Sequence, residues 1–286
     1  MKKCNHCNTI LIKDARFCHH CGAKVFLTND GNHKHAYEIK YPLHFEDTTS
    51  LAPDIKAYFF QALRKRVEEE QAPTKYDDYL DRFYHSDFGH RFDVRLGQLA
   101  EEAYLIHAKQ DGQIQHKVDH LLAKNFSQLL DHFIIRYCYD LNVHDLPEKI
   151  LAYHDATRAS VSLQTMILDF LDLENENETY FVDFVVMPIQ KLKNASKAFL
   201  FPDKDEKIML ITDQTIFGSC KEGFAMTEKG IYWKAHFEKA QRVFYRDLNT
   251  VEKEKDWIKI NNRFFNVNPA LNVKMMKLLR KLKEMY

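Results

Sequence analysis

The chain has 286 residues, of which 45% are hydrophobic and 13% aromatic, and its formal net charge at pH 7 is zero. That length accommodates two domains or one large domain with small additions, and the apolar content excludes a wholly disordered chain. The zero net charge hides an uneven distribution: residues 1–27 carry five basic and one acidic side chain, residues 28–202 carry 19 and 28, and residues 203–286 carry 17 and 12. Basic ends therefore flank an acidic middle, which indicates separate modules and argues against one continuous nucleic-acid-binding surface.

Nothing in the sequence indicates a membrane-spanning or secreted chain. No apolar run approaches the roughly 20 residues that a membrane-spanning helix needs. Lys2 and Lys3 are not followed by an apolar stretch, so we expect no secretory signal. We therefore expect a cytoplasmic protein, in which thiols stay reduced and clustered cysteines favour a metal over disulfides.

The first module contains four of the six cysteines, as the pairs Cys4-x-x-Cys7 and Cys18-x-x-Cys21. Two such pairs can present four thiolates tetrahedrally to one zinc ion, and the intervening residues are enough for a hairpin. A site closed by four cysteines leaves no coordination position for a substrate, so we expect a structural Zn²⁺ at residues 1–27. Metal binding would supply the folding energy that so short a module cannot obtain from a core. This stretch resembles the short zinc ribbons at the start of many bacterial proteins.

Other interpretations of this module stay open. A redox pair or a catalytic metal would use the same cysteines. Its basic side chains would either contact the phosphates of a nucleic acid or offset the negative charge of the four thiolates. Phe17 and Phe26 are its only aromatic residues, which is little for a nucleic-acid-binding surface. The nearby histidines are alternative ligands or solvent-facing residues: His6, His19 and His20.

The polar stretch at residues 28–35 indicates a linker, and residues 36–200 are predicted to form a mainly α-helical domain. Residues 37–47 suit a short strand. A first helix is predicted from Thr49, with Pro53 at its first helical position and Asp54 favoured by the positive end of the helix dipole.

Further helical periodicity follows along this middle region. The predicted helices cover KYDDYLDRFYH at residues 75–85, a stripe from Phe92 to Ile106, the long segment 113–141, residues 147–170, and the stretch after Pro188. Cys138 lies on an apolar stripe, which indicates a buried small residue.

The C-terminal region, residues 201–286, changes to short β-type runs separated by turn residues. The predicted strands are KIMLITD, TIFGSC, FAMTEKG, IYWKA, RVFYRDL, DWIKI and RFFNV, with a turn at Asn261-Asn262. Cys220 falls in one of these runs and is expected to be buried. A last helix is predicted after Asn268, a cap residue, and Pro269.

One hairpin in this region carries a second resemblance. The motif runs Gly223-Phe-Ala-Met-Thr227-Glu-Lys229-Gly230-Ile-Tyr-Trp. It is similar to a hairpin that recurs in bacterial pleckstrin-homology-like (PH-like) domains, and the order of strands followed by a helix agrees. The resemblance implies a β-barrel capped by a helix and a non-catalytic adaptor that binds proteins or lipids. The basic residues here would form a rim for such a partner or lie on a solvated strand face: Lys221, Lys229, Lys234, Lys239 and Arg242.

The histidines of the middle region suggest an alternative. His144-Asp145 and His154-Asp155 are similar to the histidine–aspartate doublet of metal phosphohydrolases, in which a metal-bound water is the nucleophile. His116 and His120 share a helical face. Helix geometry argues against convergence, because Asp155 points about 100° away from His154. We therefore expect no second metal site from these residues.

The sequence thus predicts an α+β multidomain protein: a zinc ribbon, a central α-helical domain and a C-terminal PH-like β-barrel. The leading hypothesis is a non-catalytic adaptor that binds a protein partner, with a membrane lipid as the alternative partner of the PH-like domain. Modular architecture suggests a bacterial stress or anti-phage response. The competing hypotheses are a metal-dependent hydrolase in the helical domain and nucleic-acid binding through the ribbon.

Overall fold

The computed structural model describes residues 43–109 and 113–286, together with the isolated residues Lys3, Thr9, Ile10 and Cys18. Backbone proximity divides the chain into two compact units, Met1–Val143 and His144–Tyr286. The two units meet at residue 143, whereas the sequence pattern predicted a domain boundary at residue 200. The predicted linker at residues 28–35 and most of the predicted strand at residues 37–47 lie outside the described residues.

The described part of the N-terminal unit is helical, as predicted. Its α-helices are α1 (Thr48–Glu70), α2 (Tyr76–His85), α3 (Phe88–Ala108) and α4 (Ile114–His132), and a π-helical turn at Phe133–Tyr137 extends α4. Helix α1 packs against α3 and α4, and α2 packs against α3. The helices predicted at KYDDYLDRFYH and along the stripe from Phe92 are confirmed as α2 and α3.

Aromatic side chains form the centre of this helical unit. The ring centroid of Phe59 lies 4.2 Å from that of Phe92, and the ring centroid of Phe60 lies 5.0 Å from that of Phe83. All four rings are buried. Because buried aromatic rings remove large apolar areas from water and favour tilted or edge-to-face contacts, this cluster holds α1, α2 and α3 together.

Helix α1 begins within one residue of the predicted Thr49, but the position of Pro53 differs from the prediction. Asp47 caps the helix: its carboxylate accepts a hydrogen bond from the Ser50 N–H at 2.6 Å, and the Ser50 hydroxyl accepts one from the Asp47 N–H at 3.3 Å. Pro53 therefore lies inside α1 and is not its first residue. Asp54 is buried and accepts a hydrogen bond from the His44 N–H at 2.8 Å. The prediction was wrong because this reciprocal cap provides partners for N–H groups upstream of Pro53.

The single helix predicted over residues 147–170 is two separate helices in the C-terminal unit. A 3₁₀ helix covers Glu148–Tyr153, and α5 covers Leu163–Leu171. Ser162 begins α5 by accepting a hydrogen bond from the Thr165 N–H at 3.3 Å. Between the two helices, the Ser160 hydroxyl hydrogen-bonds to the N–H and the carbonyl of Thr157. Such local bonds compete with helix formation, and hydrophobic periodicity does not reveal them.

The described C-terminal unit contains two antiparallel sheets, the helix α6 (Ile189–Ala198) and the terminal helix α7 (Pro269–Met285). The first sheet has the order β1 (Thr179–Phe181), β2 (Ile208–Asp213), β3 (Gly223–Thr227), β4 (Gly230–Lys234) and β5 (Gln241–Phe244). The second sheet contains β6 (Val251–Glu254), β7 (Trp257–Ile260) and β8 (Arg263–Phe265).

Two local predictions for this unit are confirmed. Asn261 and Asn262 join β7 to β8 with φ angles of 49° and 62°, the left-handed conformation that a two-residue hairpin turn requires. The Asn268 side chain caps α7 by accepting a hydrogen bond from the Leu271 N–H at 2.8 Å, and Pro269 is the first helical residue.

Other strand predictions are wrong. Residues 215–220, TIFGSC, form a loop between β2 and β3 and not a strand. Strands β1 and β6 were not predicted, because β1 has only three residues and the sequence of β6, VEKE, is mostly charged. Cross-strand pairing, which depends on distant residues, places these short segments in the sheets.

The acidic residues before β1 pair with a lysine of the terminal helix α7. Lys274 of α7 is buried, and its Nζ atom lies 2.8 Å from a carboxylate oxygen of Glu176 and 3.5 Å from one of Asp172. Leu271, Leu279 and the residues between them are buried along the helix. A buried lysine needs a negatively charged partner. The carboxylates of residues 172–178 provide it and partly neutralise the positive charge of α7.

The predicted α+β class is confirmed. The two sheets are not joined by strand pairing among the described residues, so these strands do not form a closed barrel. In the described ranges, no helix combines the length and the apolar character that crossing a bilayer would require.

Candidate functional site

Only part of the predicted zinc module is described. Three predicted ligands lie outside the described residues: Cys4, Cys7 and Cys21. Cys18 is described and buried. Lys3 and Ile10, on either side of the first cysteine pair, form an antiparallel bridge.

The two remaining cysteines have a different environment. Cys138 and Cys220 are both buried, as predicted. Burial raises the pKa of each thiol to about 12, so both are protonated at neutral pH. Cys220 lies in the loop between β2 and β3 with a φ angle of 58°, and not in a strand. Because the thiolate is the form that binds metals and attacks electrophiles, neither cysteine is suited to these roles.

The candidate hydrolase ligands lie on different elements. His116 and His120 are exposed on α4, His144-Asp145 precedes the 3₁₀ helix, and His154-Asp155 follows it. His154 is half-buried, whereas Asp155 is exposed. In the described part of the chain, no group of three or more His, Cys, Asp or Glu side chains is arranged to hold a metal ion.

The hairpin motif between β3 and β4 has a clear structural basis. The buried Thr227 hydroxyl accepts hydrogen bonds from the N–H groups of Lys229 at 3.1 Å and Gly230 at 3.0 Å, and so holds the turn. A Cβ atom on Gly230 would lie 2.6 Å from the Val243 carbonyl oxygen, closer than atoms approach without displacement. The threonine and second glycine of the motif are therefore used for folding.

A buried polar network continues from this turn. The Thr227 hydroxyl donates to the Glu206 carboxylate, and the Tyr232 hydroxyl donates to it at 2.9 Å. The Tyr245 hydroxyl donates to the Thr227 carbonyl at 3.0 Å. Burial, together with the hydrogen bond to Glu206, raises the pKa of Tyr232 to about 12. This network connects β3, β4 and the segment before β2.

The basic residues considered as a rim do not lie together. Lys229 lies in the turn between β3 and β4. Lys221, Lys234 and Lys239 lie at the other end of those strands, in or beside the loops that join β2 to β3 and β4 to β5. Arg242 is on β5, with its guanidinium 4.5 Å from the centroid of the Phe244 ring. The five residues therefore do not form one binding rim.

The most unusual surface of the C-terminal unit is apolar. In the loop between β2 and β3, Ile216 and Phe217 are 90% and 95% exposed, and in the loop between β4 and β5, Phe237 is 92% exposed. Val185, Val186 and Ile189, at and before the start of α6, are also exposed. We call this set the apolar end: Val185, Val186, Ile189, Ile216, Phe217 and Phe237. Contiguous exposed apolar side chains commonly mark interaction surfaces.

Specific contacts bring the three segments of the apolar end together. The Asn194 side chain on α6 donates to the Ser219 carbonyl at 2.7 Å. Met187 and Cys220 belong to the same buried cluster. A nitrogen of His236 lies 3.0 Å from the Glu222 carboxylate, which connects the two strand loops. The apolar side chains therefore project from one end of a single unit.

The loop that carries Ile216 and Phe217 is ordered around Asp213. This buried carboxylate accepts hydrogen bonds from the N–H groups of Thr215 at 3.1 Å and Cys220 at 3.0 Å, and it lies 3.0 Å from Lys191 Nζ. Burial alone would raise the pKa of Asp213, but these partners lower it because they stabilise the charged carboxylate. The ion pair with Lys191 also ties the loop to α6.

A small cavity of about 250 Å³ lies beside the apolar end. Its polar lining includes Gln214, Glu222, Lys234 and His236, and Phe264 contributes an apolar wall. Groups of opposite charge are therefore close together in this cavity. Such a lining suits a small group with both donors and acceptors better than a strongly charged one.

The sequence contained a signal for the apolar end, but the strand prediction concealed it. Ile216 and Phe217 are β-type residues in a short run bounded by turn residues, which is typical of a strand. The flanking Asp213 and Gly218, which has a φ angle of 64°, are turn residues and pointed to a loop. Two large apolar residues at the tip of a loop would then have indicated a binding surface.

The N-terminal unit has a second concave region, a groove of about 450 Å³ between α1 and α3. Small residues line part of it, including Ala52, Gly97 and Ala100, with Lys56 and Glu101 as charged members. Lys56 lies 2.7 Å from Asp93 in an ion pair. No described feature indicates what would occupy this groove.

Comparison with known proteins adds no identification. No family model matches the chain, and neither the curated proteins nor the solved structures give a match.

Proposed function

We propose that this protein is a non-catalytic adaptor that combines a structural zinc ribbon at residues 1–27 with a C-terminal PH-like domain. The PH-like domain binds its partner, a protein or a lipid, through the apolar end. The observation on which this proposal rests is the near-complete exposure of Ile216, Phe217 and Phe237 on two neighbouring loops. Side chains of this size are rarely left so exposed in a group unless a partner covers them.

The PH-like assignment is supported by the hairpin and by the element order. The motif residues Thr227 and Gly230 hold the turn between β3 and β4. Antiparallel strands precede a single terminal helix, α7. These features suit a rigid scaffold that positions exposed loops, which is typical of binding modules.

The zinc assignment rests on the cysteine spacing, the buried Cys18 and the bridge between Lys3 and Ile10. The proposed ligands are Cys4, Cys7, Cys18 and Cys21. Zinc held by four thiolates supplies folding energy and offers no open position for catalysis.

Site-specific photo-cross-linking tests the adaptor function. A photoreactive phenylalanine analogue at position 217 should label a defined partner in an extract of the source organism, identified by mass spectrometry. The matched control carries the analogue at Leu105, an exposed apolar residue on α3. Labelling of proteins and of lipids at position 217 that is no stronger or more selective than at position 105 would contradict the proposal.

A further inference from the structure

We infer that the cavity beside the apolar end binds a small zwitterion, an α-amino acid with an apolar side chain. The cavity has a volume of about 250 Å³, below the range of about 300–1,000 Å³ that is typical of drug-sized ligands, so its ligand is small. The inference goes beyond the proposed function and does not rest on it, because no residue of the apolar end lines the cavity.

Segments from both sheets of the C-terminal unit form the walls of this cavity. Gln214 follows β2 and Glu222 precedes β3, and the Gln214 N–H donates a hydrogen bond to the Glu222 carbonyl at 3.0 Å. Lys234 ends β4. Trp233 Nε1 donates to the Phe264 carbonyl at 2.7 Å, which holds β8 beside β4. Because backbone pairing and these hydrogen bonds fix the walls, ligand binding requires little ordering of the chain.

Two half-buried polar side chains of the cavity are available to a ligand. Among the described residues, neither the side-chain amide of Gln214 nor the ammonium of Lys234 makes a hydrogen bond or an ion pair. Polar side chains that are withdrawn from water usually have partners, and a lysine is rarely buried without one. Both groups are hydrogen-bond donors, so together they suit a carboxylate.

Glu222 gives the same cavity a negative charge. Its half-buried carboxylate lies 3.0 Å from His236 Nδ1. An ionised carboxylate can accept about four hydrogen bonds, so Glu222 keeps the capacity to bind an ammonium group beside His236. A ligand that is only cationic would be repelled by Lys234, and one that is only anionic would be repelled by Glu222. A ligand that carries both charges avoids both costs.

The remaining wall suits an apolar side chain. The ring of Phe264 is partly exposed in the cavity, next to Val267. The ring centroid of Trp257 lies 4.8 Å from that of Phe264, so the wall is supported by a second aromatic side chain. An apolar group that contacts this wall is removed from water, which favours binding. An α-amino acid carries an ammonium, a carboxylate and an apolar side chain on one carbon, and so matches all three parts of the cavity.

Isothermal titration calorimetry of the full chain with L-leucine and three analogues tests this inference. Leucine should bind with a dissociation constant of about 1 mM or lower. Leucinamide lacks the carboxylate and N-acetyl-leucine lacks the ammonium, so each should bind about tenfold more weakly, because each leaves a charged group of the cavity without its partner. Glycine lacks the apolar side chain and should also bind about tenfold more weakly. No binding of leucine, or an analogue that binds as tightly as leucine, would overturn the inference.

Three variants assign each part of the ligand to its side chain. Lys234→Met should weaken leucine binding about tenfold and remove the preference for leucine over leucinamide, since the carboxylate then has no cation. Glu222→Gln should remove the preference for leucine over N-acetyl-leucine in the same way. Phe264→Ala should remove the preference for leucine over glycine. A merely structural role of these side chains would weaken all four ligands alike and leave the preferences unchanged.

Lys229→Met is the matched control for the charge. Lys229 lies in the turn between β3 and β4, at the opposite end of these strands from Lys234, so this variant should bind leucine like the wild type. Thermal unfolding checks that every variant is folded. Unchanged leucine binding by folded Lys234→Met, or equal losses in Lys234→Met and Lys229→Met, would overturn the inference.

Failure of this inference is distinguishable from failure of the proposed function. If leucine does not bind but position 217 is labelled selectively by a partner, the cavity is not an amino-acid site and the adaptor function stands. If leucine binds with the expected preferences but position 217 is not labelled selectively, the cavity is a ligand site and the adaptor proposal fails.

Discussion

The Tyr232 hydroxyl donates a hydrogen bond to the Glu206 carboxylate at 2.9 Å inside the C-terminal unit, where both side chains are buried. Thr227, in the hairpin motif, donates to the same carboxylate. A buried carboxylate is costly unless hydrogen bonds compensate for its lost hydration. Thr227 of the hairpin motif therefore has a structural role, because it belongs to this buried hydrogen-bond network.

The first prediction concerns the hydroxyl group of Thr227. Thr227→Val keeps the shape of the side chain but removes the acceptor for the Lys229 and Gly230 N–H groups and a donor to Glu206. We expect the free energy of unfolding of the C-terminal unit to fall by about 2–3 kcal/mol, the cost of unsatisfied buried polar groups. Urea unfolding followed by tryptophan fluorescence measures it.

Thr227→Ser is the matched control. It keeps the hydroxyl and removes one methyl group, so we expect a loss of about 1 kcal/mol. If the serine variant is destabilised as much as the valine variant, packing and not hydrogen bonding makes Thr227 important.

The second prediction is that the C-terminal unit loses stability in alkaline solution. Burial and the bond to Glu206 raise the pKa of Tyr232 from 10.0 to about 12, so the folded state holds this proton more tightly than the unfolded state. Its stabilising contribution is complete below the unfolded pKa and is lost as the pH rises through the folded pKa. Burial likewise raises the pKa of the Cys220 thiol from 9.0 to about 12, so its contribution to stability is also lost as the pH rises.

Tyr232→Phe isolates this effect. The variant removes the titrating group, so its free energy of unfolding should fall less steeply than that of the wild type between about pH 9 and about pH 12. Over this range the free energy of unfolding of the wild type should fall by about 2–3 kcal/mol more than that of the variant. Parallel pH profiles would show that Tyr232 does not titrate differently in the two states.

Local sequence signals predicted much of the fold. The caps and turns at Asn268, Asn261 and Asn262 depend on neighbouring residues, and they were found where expected. Pro53 was wrongly placed at the first helical position because the reciprocal cap at Asp47 was not recognised. Strand β6 was missed because its charged sequence joins a sheet only through pairing with β7.

The site was less predictable than the fold. Exposure of Phe217 depends on the loop that Asp213 organises through Thr215, Cys220 and Lys191, and Lys191 lies 22 residues away in the sequence. A short run of β-type residues alone cannot distinguish an apolar loop tip from a strand. The metal site inferred from the cysteine pairs depends only on spacing within a short segment, and it stays a prediction because Cys4, Cys7 and Cys21 lie outside the described residues.

The third prediction uses two glycines of α3 as a matched pair. An added Cβ at Gly97 meets no atom within 4 Å, so Gly97→Ala should raise the free energy of unfolding of the N-terminal unit by about 0.5–1 kcal/mol through helix propensity. At Gly89 the added Cβ would lie 2.7 Å from the Phe83 carbonyl oxygen, so Gly89→Ala should lower it by about 1–3 kcal/mol. Thermal unfolding by circular dichroism measures both, and equal shifts would contradict the steric argument.

The fourth prediction is that the purified protein contains about one zinc ion per chain, as a single four-cysteine site requires. Elemental analysis measures the content, and replacing any one of Cys4, Cys7, Cys18 or Cys21 with serine should reduce it strongly, since each contributes one of four thiolates. Cys138→Ser and Cys220→Ser are matched controls: burial raises the pKa of both thiols to about 12, so neither offers a thiolate at neutral pH and both variants should keep their zinc. Metal-free wild-type protein, or zinc lost only from the control variants, would show that the two cysteine pairs do not form the site.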